Sequence, residues 1–141
     1  MQTVADERIF LDSNVLLYAF KGQRPLADEC GKILAMPGII FLSSIFLKLE
    51  LLPIPRAFKL EKESQFLERF FRETQDVAID LGDIVKKAEI LAAKYGLGPM
   101  DALHISAAFL GNAKTFYTVE KPTKPLCRVT EVNVVSLYPT A

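Results

Sequence analysis

Short apolar runs recur along this chain between longer segments of helical period, and that alternation commits it to a parallel sheet wrapped by helices. The expected strands are Arg8 to Leu11, Ile39 to Leu42, Val77 to Ile79, Thr115 to Thr118 and Val132 to Ser136. The expected helices are Asn14 to Phe20, Leu26 to Met36, Ile45 to Ala57, Glu61 to Gln75, Leu81 to Tyr95 and one opening at Pro99. Pro37 and Gly38 break the chain between a helix and a strand. Pro53 and Pro55 should kink or end the helix that contains them, because proline removes a backbone donor and clashes with the preceding turn. Glu61 to Gln75 carries Phe66, Leu67, Phe70 and Phe71 on one face, an amphipathic stripe for core or dimer contact. With 141 residues the chain fits one domain, residues 1–141, large enough to bury a core without staples.

Half of the residues are hydrophobic, ten are Phe and none is Trp, which suits a sheet buried on both faces or an apolar contact surface and leads us to expect self-association. Seventeen basic and seventeen acidic residues cancel, so no global field recruits a polyanion and any nucleic-acid contact must be local. Cys30 and Cys127 form no CxxC pair and are too few for a disulfide framework, which favours a reducing compartment or simply two buried thiols, with the cytoplasm as the default. The segment "MQTVADER" lacks the basic and apolar regions of a signal peptide. The most apolar region, Ile39 to Ile54, is interrupted by Ser43, Ser44, Lys48, Glu50 and Pro53, well short of the ~20 apolar residues that span a bilayer. No membrane contact is expected.

Four acids stand where an α/β sheet gathers ligands. Asp12 ends the first strand, in "RIFLDSNVLLYAF", and carboxyl ends of parallel strands form the ligand crevice; Asp, Ser and Asn there are also ordinary helix caps. Glu50, in "FLKLELLPIP", either points out of its apolar face or is held inside by a cation. Asp101, in "GPMDALHISAA", falls in the first turn of its helix, where an anion meets the helix dipole favourably. Glu120 follows "TFYTV", just past a strand, and as a single residue reads equally as a loop glutamate beside Lys121. All four can share one edge of the sheet. Carboxylates so gathered repel and raise one another's pKa unless a cation neutralises them, and hard oxygen donors with few protein ligands suit Mg²⁺ or Mn²⁺.

"FLDSNVLLYAF", "LSSIFLKLELL", "GPMDALHISAA" and "TFYTVE", in this order and spacing, resemble the four motifs of the PIN-domain family, especially the VapC-type toxin nucleases of toxin–antitoxin pairs. The resemblance covers essentially the whole chain. It implies a three-layer α/β/α sandwich with a parallel sheet of about five strands, metal-dependent RNA cleavage, dimerisation, and neutralisation by a small antitoxin. It also implies Asp12, Glu50, Asp101 and Glu120 as catalytic metal ligands, with Asn14, Ser44 and Thr118 supporting them. At Glu120 the family usually has Asp, often with another acid shortly after, where this chain continues Lys121, Pro122, Thr123, Lys124. A catalytically weakened or inactive PIN-like module acting by protein or RNA binding is the alternative.

Phosphate contacts would come from Lys121, Lys124 and Arg128 after the fourth motif, and from Lys21 and Arg24 after the first; a solvated loop surface is the competing reading. His104 shares a helix face with Asp101, three residues earlier, and reads more simply as a core histidine than as a base or ligand. No Ser or Cys nucleophile adjoins it, so an acyl-transfer triad is excluded. A haloacid-dehalogenase-like phosphatase also opens on a strand and an aspartate, but it needs a second Asp where this chain has Asn14.

Overall fold

Five parallel strands in the order β3-β2-β1-β4-β5 form the sheet of this computed structural model, which describes residues 7–77 and 79–139. Strand β1 (Glu7–Leu11) lies at the centre, between β2 (Ile39–Ser43) and β4 (Thr115–Thr118), with β3 (Gln75–Asp76) and β5 (Asn133–Ser136) at the edges. Ile9, Phe10 and Leu11 are fully buried, as both faces of a central parallel strand demand. Each such side chain contributes roughly 1.5–3 kcal/mol by leaving water.

From β1 the chain moves outward through α1 (Ser13–Lys21) and α2 (Leu26–Leu34) to β2. It continues through α3 (Ile45–Leu51), α4 (Pro53–Ala57) and α5 (Glu61–Glu73) to β3. It then returns across the sheet through α6 (Leu81–Tyr95) and α7 (Pro99–Leu110) to β4. Because parallel crossovers are right-handed, reversing the direction of travel puts α6 and α7 on the face opposite α1 and α2, giving three layers. The reversal falls between β1 and β4. In an open α/β sheet the ligand crevice opens at this switch point, beyond the carboxyl ends of the two strands.

Helix α7 carries small residues for a reason. Ala102, Ala107 and Ala108 are buried together with Ile105, so α7 lies close to the sheet, and the Ser106 hydroxyl donates to the Ile84 carbonyl at 2.6 Å, joining α7 to α6. Gly111 ends α7 where a Cβ would meet Val77 Cγ2 at 2.9 Å. Gly96 caps α6 with φ +71°, a left-handed turn that costs glycine least.

Most boundaries fall within two residues of expectation. Proline divides the expected Ile45 to Ala57 helix at Leu52, as its chemistry requires. The third strand is a correction: it spans Gln75–Asp76, ahead of the apolar run at Val77 to Ile79, and within that expected strand Ala78 lies outside the described residues. Polar contacts set this edge. The Ser43 hydroxyl donates to Asp76 Oδ1 at 2.7 Å and lies 2.9 Å from Thr74 Oγ1, while Leu42 and Ser43 pair with Gln75 and Asp76. No helix among the described residues is long and apolar enough to cross a membrane.

Candidate active site

Strand alternation starts the site. Phe10 pairs with Phe116 across β1 and β4 and their rings stack at 5.5 Å, so the next residues on that face are Asp12 and Thr118. Asp12 lies just beyond β1, its backbone N–H donating to the Tyr117 carbonyl at 2.9 Å. Its side chain is 3% exposed. Oδ1 accepts from the Ser13 backbone N–H at 2.9 Å, and Oδ2 accepts from the Thr118 hydroxyl at 2.9 Å. Asp12 is therefore both the cap of α1 and a crevice carboxylate, the two roles that its sequence position allowed. About half of the carboxylate's acceptor capacity stays open.

Burial pushes the Asp12 carboxyl up to about 6, with the Asp101 charge adding to the rise and His104 and the two hydrogen bonds opposing it. Asp101, in the first turn of α7, is likewise raised, first by burial and then by the charges of Glu120 and Glu50. Glu50, half-buried on α3, moves the other way: a hydrogen bond from His104 holds its carboxyl below the usual range, helped by one from Ser13 and opposed by burial. The acids sense one another, which is the electrostatic mark of a shared site.

Ligand atoms of Asp12, Glu50 and His104 all lie within 4.8 Å of one another, the one such group among the described residues. Asp101 and Glu120 stand outside it. His104 is wholly buried, with Nε2 3.4 Å from Glu50 Oε1 and Nδ1 without a partner. The expectation of a histidine serving only the core needs correcting, because its polar contact is with Glu50, one of the four expected ligands. Sequence reading also gave Ser13 no part in the site, although it adds to the lowering of the Glu50 carboxyl.

A relay links the two strand ends. Thr118 Oγ1, while donating to Asp12, accepts from the Glu120 backbone N–H at 3.2 Å, and Asn14 Oδ1 accepts from the Val119 N–H at 3.3 Å. The Glu120 carbonyl accepts from the Ser136 hydroxyl. Ser44 acts through its helix: its Oγ accepts from the Leu47 N–H at 3.3 Å, capping α3, which carries Glu50.

With this geometry in view, the comparisons decide the family. The PIN domain model matches residues 9–122.

The chain belongs to the PIN domain family.

Solved structures agree in fold. A toxin–antitoxin complex from Klebsiella pneumoniae matches with 20% identity and a TM-score of 0.69, covering 94% of this chain and 99% of its own. VapBC2 from Rickettsia felis, bound to a DNA fragment from its promoter, matches with 19% identity and a TM-score of 0.67, over 92% and 98%. VapBC-1 from nontypeable Haemophilus influenzae matches with 20% identity and a TM-score of 0.64, over 92% and 98%. A comparison with curated proteins gives no significant match.

In this PIN domain the basic residues divide by place. Lys121, Lys124 and Arg128 are exposed in the segment that follows Glu120, and none makes an ion pair among the described residues. Lys21 and Arg24 do not flank the crevice, which corrects the expectation. Lys21 closes α1 at the end away from Asp12, about 13 Å along the helix. Its ammonium lies 2.8 Å from Glu63 Oε1 of α5, a buried carboxylate, and Arg24 pairs with Asp28 at 3.4 Å.

Proposed function

We propose that this PIN domain is a divalent-metal-dependent ribonuclease, the toxin of a toxin–antitoxin pair, active in the cytoplasm. The observation that carries it is the meeting of Asp12 and Glu50, from separate elements, at the switch point of the sheet with Asp101 and Glu120 in electrostatic reach. The donor set fits a hard cation: it is rich in carboxylate oxygens, and the Asp12 charge is opposed by burial and by the neighbouring Asp101, both of which a cation would offset. Asp12, Glu50, Asp101 and Glu120 would hold Mg²⁺ or Mn²⁺.

When bound, the ion supplies Lewis-acid activation of water and stabilises the charge that develops on the phosphate. The chain's own residues do the rest. Thr118 and the Ser13 backbone fix the Asp12 carboxylate, Asn14 and Thr118 fix the backbone before and at Glu120, and Ser44 caps the helix that delivers Glu50. Lys121, Lys124 and Arg128 would position the RNA backbone by phosphate contact. Exposed Ile45, Leu49, Ile54 and Phe58 on α3 and α4 and just beyond offer apolar surface for a small antitoxin or a second copy in a homodimer. The partners named for the Klebsiella and Rickettsia proteins support this reading.

The alternative, a weakened module acting by binding, draws on Glu120, which lies outside the Asp12, Glu50 and His104 group. Incubation with RNA and Mn²⁺ or Mg²⁺ separates the two. Wild type should cleave to products with 5′-phosphate and 3′-hydroxyl ends, chelator should stop it, and Asp12→Asn and Glu120→Ala should be inactive or nearly so. Cleavage that persists in Asp12→Asn contradicts the assignment, and a gain of activity in Glu120→Asp would identify the fourth position as compromised.

A further inference from the structure

We propose that His104 is a positioning residue: its Nε2–H holds the Glu50 carboxylate facing Asp12, so that two oxygens are already gathered where a divalent cation binds. The inference rests on the reading of Glu50 as a cation ligand and adds a residue to it.

His104 sits on a face of α7 whose buried neighbours are Ala107, Ala108 and Ile105, and an apolar side chain there would avoid desolvating an imidazole. The hydrogen bond that the ring makes is to Glu50, across 54 residues of sequence. Phe10 sets the plane of the ring, with centroids 6.0 Å apart and a tilt of 36°. Nδ1 is buried without a partner, and a hydrogen there would be a buried donor with no acceptor, so the ring carries its hydrogen on Nε2, toward Glu50. At 3.4 Å the contact is longer than the preferred range, so it contributes little to stability and acts mainly on direction. Glu50 has a flexible side chain on the last turn of α3, and the polar side-chain contact that directs it is the one with His104. Asp101 and His104, three residues apart on one helix, thus serve the same crevice by different means.

The test is Mn²⁺ titration of the metal-free protein by calorimetry, with wild type, His104→Leu, His104→Gln, Glu50→Gln and the double variant His104→Leu/Glu50→Gln. His104→Leu should weaken Mn²⁺ binding about 10–100-fold, as loss of a group that orients a metal ligand does. His104→Gln, which keeps an N–H donor, should recover most of the loss. In the Glu50→Gln background the leucine substitution should cost nothing further. Equal losses in both backgrounds, or a glutamine variant no better than leucine, overturn the inference. Should the leucine variant fail to fold, the wild type decides: the chain has one histidine, so nitrogen NMR reads its tautomer directly. A hydrogen on Nε2, retained when metal binds, supports positioning. A hydrogen on Nδ1, or one-bond coupling of Nε2 to bound cadmium, overturns it. Wild type that binds no Mn²⁺ overturns this inference and the nuclease reading together, whereas unchanged binding by His104→Leu overturns this inference alone.

Discussion

The Thr118 hydroxyl donates to Asp12 Oδ2 at 2.9 Å, closing the ends of β4 and β1 on each other across 106 residues of sequence. The same oxygen accepts from the Glu120 backbone N–H, so one side chain registers the two strand ends that flank the crevice. Thr118→Val keeps the shape and removes the hydroxyl. The expected cost is about 1–2 kcal/mol in urea unfolding at neutral pH, because Asp12 Oδ2 loses its buried donor. Mn²⁺ affinity should fall several-fold and the Asp12 carboxyl should titrate above 6. Thr118→Ser should restore all three.

Asp12 makes the metal-free fold sensitive to pH in a defined direction. Its folded pKa, about 6, lies above the ordinary aspartate value of 3.8, so the folded state holds this proton more tightly than the unfolded chain. Its contribution is therefore fully present below about pH 4 and lost as pH rises through 6, by up to about 3 kcal/mol. Asp12→Asn removes the ionisation. Relative to wild type, that variant should gain stability progressively between pH 4 and 7 in denaturant titrations without metal. Mn²⁺ should stabilise wild type at pH 7 and leave the variant unchanged.

Lys21 neutralises Glu63 at a distance from the site. Lys21→Met should strand a buried carboxylate and cost about 1–3 kcal/mol, with Mn²⁺ affinity unchanged. The double variant Lys21→Met/Glu63→Leu should regain most of the loss.

What the sequence made legible was local. An apolar strand that ends in Asp12, and a helix opening Pro99 with Asp101 in its first turn, are signals contained in a few adjacent residues. The parallel order of the sheet followed from the alternation of period. The edge strand was misplaced because Gln75 and Asp76 are polar and exposed, and their pairing with Leu42 and Ser43, together with the Ser43 hydroxyl and Lys48 on Asp76, is visible only once β2 lies beside them. Lys21 read as a free cation because Glu63 reaches it from another helix. His104 read as core for the same kind of reason: its contact with Glu50 depends on how α3 and α7 pack, which no periodicity encodes.

Calorimetric titration of the metal-free protein with Mn²⁺ at pH 7.5, wild type beside Asp12→Asn, tests the central claim that this crevice is a cation site. Wild type should bind, with release of less than one proton from Asp12, and Asp12→Asn should show no binding event. Equal binding by both proteins, or none by wild type, would contradict the account.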